Sequence, residues 1–194
     1  MPSGRPIRVG DFVTSRKSQP PFLFHQVVEK IDRKKKMAKC RDCNPRRAFV
    51  WERPLRKLIT CVGAFLRDRR GVIESYRADV QVGGLLSRGE YHIWIDRYAD
   101  RCRVSATEFA YEAKGWAPSN IIDKALTVRQ WGGLAKCIEA AAFWDLPSYD
   151  GNVGMDGYWW ILEGVKNNRY HYVRRWCDDL GILRRMSRLA GIDG

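Results

Sequence analysis

The sequence has no apolar run approaching the ~18–20 residues that a membrane-spanning helix requires. Residues 1–10 are polar and carry two arginines with no apolar core behind them, so no secretory leader is expected. These absences point to a cytoplasmic protein with no membrane partner. Histidine is scarce, with three in 194 residues. No GxSxG, P-loop, HExxH or GxGxxG pattern occurs, so the usual nucleophile, phosphate and zinc-hydrolase chemistries have no foothold.

The one CxxC is Cys40-Arg41-Asp42-Cys43. A structural zinc needs four ligands, and only His25 and Cys61 lie nearby to complete a set. A redox CxxC belongs at a helix start after a strand, whereas Pro45 follows closely here in a β context. No metal, no cofactor and no catalytic residue is therefore expected, and the chain reads as a non-enzyme. Six cysteines occur, at 40, 43, 61, 102, 137 and 177, and a cytosolic chain keeps them as free thiols. Cys61, Cys102 and Cys137 sit in apolar stretches and read as small core residues.

What is present is the material of a folded protein. Hydrophobic residues make up 45% and charged residues 29%, a globular balance. Eight Trp, eight Tyr and seven Phe supply bulk for a core. The net charge is +13, and it is unevenly placed. Residues 1–58 hold 16 Lys and Arg against 5 Asp and Glu, whereas residues 59–194 hold 19 against 17. A basic module on a near-neutral body suggests a polyanionic partner such as DNA or RNA, or an acidic protein surface.

In the basic module, Val9-Gly10-Asp11-Phe12-Val13 turns into a strand, and Phe22 to Ile31 mixes apolar and polar residues as a half-buried strand does. Asp32 to Lys36 is a charged turn, Met37 to Arg41 alternates, Arg47 to Trp51 is β-rich, and Arg53 to Leu58 closes the module. Short strands with polar turns at this spacing suggest a small barrel. The segments GDFV, HQVVEKID, MAKCR and RPLRKL resemble SH3-like barrels of the Tudor and KOW type over residues 8–58. That resemblance implies a module that binds nucleic acid or peptide; it does not name the ligand.

Two sets of cations stand out. Arg33, Lys34, Lys35 and Lys36 cluster at a hairpin tip, and Arg41, Arg46, Arg47, Arg53, Arg56 and Lys57 form the second set. Both could contact phosphates, with affinity falling steeply as salt rises. Phe49 and Trp51 lie beside the second set. Trp51, if exposed, could stack on a base; aromatics of this size are more often buried.

Beyond residue 59 the charge density drops. Val72 to Val82 holds a strand candidate, Tyr91 to Ile95 another, and Arg101 to Tyr111 pairs with it across the turn at Tyr98 to Asp100. Gly115 to Ser119, with Pro118, reads as a loop. Thr127 reads as the N-cap of a helix running to Phe143 or Trp144, with Trp131, Leu134, Ile138 and Ala142 on one face. Tyr158 to Val165 and Arg169 to Cys177 form a hairpin across Asn167-Asn168, residues that tolerate the φ > 0 of a tight turn. Asp178 or Asp179 would cap a last helix, with Gly191 after it and Arg184, Arg185 and Arg188 outward.

The run Phe143-Trp144-Asp145-Leu146-Pro147, then Asp156-Gly157-Tyr158-Trp159-Trp160-Ile161-Leu162-Glu163-Gly164, then Tyr170 to Trp176, is similar to a pattern in small uncharacterised bacterial proteins. These carry FW-x-LP, DG-x-x-W-x-LEG and YH-x-V-x-RW. The resemblance implies a fold unit over residues 127–190 and a bacterial or phage origin. The chain departs after Trp176, where Cys177 replaces a usual Ser-Pro. Within this segment Asp156, Glu163, His171 and Arg175 could suggest catalysis. The hairpin register puts Glu163 and His171 on opposite faces, which favours a structural network with Glu163 beside Arg174.

The expected class is α+β. Residues 1–59 form a small basic all-β SH3-like barrel. Residues 60–194 form an α+β domain with an antiparallel sheet, a helix over 127–144, a hairpin over 157–177 and a C-terminal helix over 179–190. The expected function is non-enzymatic binding of nucleic acid or a ribonucleoprotein through the two basic sets. The alternative is a protein-interaction inhibitor or adaptor, such as a phage counter-defence protein acting on a nucleic-acid-binding complex. A third reading, a nuclease-like enzyme, lacks a clustered carboxylate–lysine set.

Overall fold

The computed structural model describes residues 12–15, 26–42, 50–54, 58–61, 69–83, 89–112, 115–149, 157–177 and 181–192. The chain divides into two compact units, Met1–Arg70 with Asn168–Tyr170, and Gly71–Asn167 with His171–Gly194. Antiparallel sheets dominate, with helices in the second unit, an α+β arrangement. No helix among the described residues is long and apolar enough to cross a membrane.

The first unit holds β1 (Phe12–Ser15), β2 (Gln26–Asp32), β3 (Met37–Asp42), β4 (Val50–Pro54) and β5 (Leu58–Thr60) in one sheet, ordered β4-β3-β2-β1-β5. The last strand returns to pair antiparallel with the first, Val13 opposite Thr60. Its small core is Val13, Val28, Ala38 and Cys40, with Ile31 packed against it. The pattern Val28-Glu29-Lys30-Ile31 places two polar residues between two inward ones, which a regular strand cannot do. A β-bulge resolves it: the register with β3 shifts between Val28 and Lys30. The extra residue, Glu29, breaks the period-two alternation, so Val28 before it and Ile31 after it both face the core. Residues 9–11, 22–25, 43–49 and 55–57, which carry several of the expected strands and cations, lie outside the described residues.

The second unit is built on a six-stranded sheet. Its strands are β6 (Glu74–Gly83), β7 (Gly89–Arg97), β8 (Cys102–Glu112), β9 (Gly115–Leu126), β10 (Gly157–Lys166) and β11 (Arg169–Trp176), ordered β11-β10-β6-β7-β8-β9. The loop expected at Gly115 to Ser119 is the start of β9. Pro118 is compatible with it because β9 is an edge strand, where a missing N–H costs no ladder bond, and a bulge at Glu108/Phe109 lies beside it. The hairpin turn uses Asn167 and Asn168 at φ 50° and 61°, the left-handed pair a two-residue turn needs.

Even-numbered residues of β6 (Tyr76, Ala78, Val80) face the helices. With Ile93, Ile95, Val104, Trp160 and Leu162 they form a core against Trp131, Leu134 and Ile138 of α1 (Val128–Ala140) and Ile182, Leu183, Met186 and Leu189 of α2 (Ile182–Ala190). Thr127 caps α1, as expected, and Gln130 completes a capping box with it. The helix stops at Ala140, short of the expected Phe143 or Trp144. Ala142 takes a left-handed φ of 48°, and Phe143–Asp145 continues as a separate 3-10 turn. That break turns Phe143 into the core, edge-on to Tyr76 at 6.0 Å. The last helix begins at Ile182 with Gly181 as N-cap and no side-chain cap, in place of the aspartate cap expected. Asp178 and Asp179 lie outside the described residues. Cys61 and Cys102 are buried and Cys137 packs against the core.

Candidate nucleic-acid interface

Among the described residues of the first unit, four consecutive cations lie on the β2–β3 turn. Arg33, Lys34, Lys35 and Lys36 are all exposed there. Asp32 shapes the turn by accepting a hydrogen bond from the Lys35 N–H at 2.9 Å, and Lys36 N–H donates to the Arg33 carbonyl at 3.4 Å. Lys36 closes the turn at φ 54°, a left-handed conformation, so the backbone reverses within four residues and the side chains leave in different directions.

The neighbouring sheet surface is closer to balance. Lys39 lies between Lys30 and Glu52 in the register, and two lysines directly opposite repel. The bulge residue Glu29 offsets this. Its carboxylate sits 2.9 Å from Arg41 Nε and 4.0 Å from Lys39 Nζ, whose side chains remain 55% and 50% exposed. Lys30, Lys39 and Arg41 are thus set against Glu29 and Glu52, one excess positive charge. Arg41 is partly occupied by an internal partner, a fact the sequence alone hid because the bulge was not visible in it.

Trp51 pairs with Cys40 in the register, and Cys40 points into the core. The tryptophan is half-buried, and the Arg53 guanidinium lies 5.9 Å over its ring. Arg53 itself is exposed. Of the predicted residues, the structure gathers Arg33, Lys34, Lys35 and Lys36 in one turn and sets Arg41, Arg53 and Trp51 on β3 and β4. Arg46, Arg47, Arg56 and Lys57 lie outside the described residues. Burial pushes the Cys40 thiol up to about 11, so it stays protonated near neutral pH. Cys43 lies outside the described residues. No three of His, Cys, Asp and Glu gather to hold a metal among the described residues.

A second charged constellation occupies the face of the six-stranded sheet opposite the helices. Odd-numbered Arg77 and Asp79 of β6 are buried there with Glu163 of β10. Arg77 Nη2 is 2.6 Å from Asp79 Oδ1, and Nη1 is 3.9 Å from Glu163 Oε2. The guanidinium also lies 4.8 Å over Trp94. His92 Nε2 is 2.8 Å from Glu90 and 3.4 Å from Asp79, and its ring packs 4.9 Å from Phe109. Burial raises the Asp79 carboxyl to about 7, against the lowering pull of Arg77 and with the nearby Glu163 charge adding to the rise. Burial likewise lowers His92, disfavouring its charged form.

Sequence reasoning placed Glu163 beside Arg174; the structure shows Glu163 facing Arg77, while Arg174 stacks 4.4 Å over Trp159. The alternation Ser75, Arg77, Asp79, Gln81 was the available signal for this face, and it reads as a solvated surface. His171 is buried edge-on to Phe143 at 5.1 Å, and Arg175 donates to the Pro147 carbonyl at 2.7 Å. Both serve packing around the 3-10 turn. Asp156 lies outside the described residues. Compared with protein-family models, with curated proteins and with solved structures, the chain matches none.

Proposed function

We propose that the protein binds nucleic acid without acting on it chemically, through a first unit that is a small basic SH3-like barrel. The observation that carries this reading is the β2–β3 turn: four consecutive exposed cations on a turn held by Asp32, beside a single half-buried carboxylate. Such a tip can enter a groove or lie along a backbone and neutralise several phosphates at once, releasing their counterions. The barrel reading is supported by a last strand that pairs with the first and by a bulge in β2, which bends a strand in the way closure of a small sheet requires. Because Trp51 lies on the Cys40 side of the sheet under Arg53, its contribution is to hold Arg53 in place, and phosphate contact outweighs base stacking.

The near-balanced surface of β2–β4 favours one second reading, an inhibitor or adaptor that engages a nucleoprotein complex by way of its protein. The two separate on naked DNA and RNA. Replacing Arg33, Lys34, Lys35 and Lys36 by Ser should lower the salt slope by about 0.9 for each phosphate that is no longer neutralised. Unaltered affinity and slope in that variant would remove the tip from the interface. Binding that needs a protein partner and survives nuclease would establish the second reading instead.

A further inference from the structure

Asp79 is a carboxylate with nine-tenths of its surface and more removed from water, and it sits among groups of both signs. On its own strand it faces Arg77, 2.6 Å away. From β10 it faces the charge of Glu163, and from β7 those of Glu90 and His92. Two carboxylates therefore surround it against one guanidinium, with a histidine whose charged form burial disfavours. Its Oδ1 takes the contacts of Arg77 and His92, while Oδ2 has no hydrogen-bond partner among the described residues. A buried carboxylate with one oxygen lacking a donor is poorly solvated in its charged form, and protonation removes that buried charge. His92 and Glu90 beside it are 23% and 20% exposed, with His92 Nε2 3.4 Å from Asp79 and 2.8 Å from Glu90.

We propose that Asp79 is a proton-operated switch in the second unit, taking up one proton when the unit folds and lowering its stability when that proton is lost.

The sign follows from linkage. Burial raises the folded carboxyl to about 7, above the ordinary value of 3.8 that stands for the unfolded chain. Its contribution is fully present below the unfolded value and is lost as pH rises through the folded one. His92 acts oppositely: its folded value is lowered, so it adds stability as pH rises towards 6.5. The two overlap in raw melting curves, and the difference between wild type and an Asp79→Asn variant isolates the first.

The experiment is thermal unfolding of the full chain and of Asp79→Asn at about pH 5 and about pH 8. Between those values the variant should gain about 5 °C or more in Tm relative to wild type, the share of a rise from 3.8 to about 7 that falls in this window. A Tm difference that stays constant with pH overturns the proposal. Glu163→Gln, which removes a facing charge and keeps Asp79, should gain in the same direction by a smaller amount. A carboxyl-carbon NMR titration of wild type reads the group without any substitution. Deprotonation of Asp79 near 7 supports the switch; completion below about 5 overturns it.

Discussion

Replacing Glu29 with Gln removes the one carboxylate that the β2 bulge inserts between Lys39 and Arg41. In the wild type the five charges of this surface leave one excess positive charge, and the substitution makes it two. Arg41 loses a partner 2.9 Å away and regains its freedom to meet a phosphate. One additional phosphate contact steepens the slope of log affinity against log salt by about 0.9, which is about 3–4-fold in affinity across a fourfold change in salt. The cost in stability is small, about 1 kcal/mol at most, because both basic partners are half-exposed and the pairs are screened. Fluorescence anisotropy with a labelled duplex across a salt series reads the change, and thermal melts confirm the fold. Tighter, steeper binding agrees with a phosphate-gripping surface on β2–β4. Binding that is unaltered or weakened would refute the idea that Glu29 restrains Arg41 from a ligand.

Gly164 has no room for a side chain, since an added Cβ would lie 2.8 Å from Phe143 and 2.9 Å from Tyr76. Gly164→Ala should destabilise by about 1–3 kcal/mol in urea unfolding, and an unchanged midpoint would contradict the packing described. Thr127→Ala removes the side-chain half of the α1 capping box, the hydroxyl that accepts from the Gln130 N–H, and leaves the residue 127 N–H free to donate to Gln130; it should cost about 1 kcal/mol by the same assay. Cys40 is buried with its thiol raised to about 11, so alkylation near pH 8 should be far slower in the native protein than in urea, read by mass spectrometry. Equal rates would show an open first unit. By linkage, the contribution of Cys40 to stability is lost as pH rises from 9 towards 11.

Much of the second unit was legible in local pattern. Tyr76, Ala78 and Val80 alternate with Arg77 and Asp79, which signals a strand, and Asn167-Asn168 signals a tight turn. Thr127 three residues before Gln130 signals a helix start. The missed features share one cause: tertiary context overrode a local rule. Pro118 argued for a loop, yet an edge strand with a free side accommodates it. The helix pattern ran through Ala142, yet a left-handed residue there redirected Phe143 inward. The charged face of β6 drew no expectation, because nothing local reveals that Arg77, Asp79 and Glu163 are buried. In the first unit the tip of Arg33, Lys34, Lys35 and Lys36 was plain from charge alone. The role of Glu29 depended on a bulge that shifts pairing by one residue.

The most direct measurement of the central claim is the salt dependence of wild-type binding to matched single- and double-stranded DNA and RNA, with no other protein present. A tip that presents four cations should give a slope of about −3 or steeper on a duplex. A flat dependence, or no binding to any of the four at low salt, would contradict it and leave a protein as the ligand.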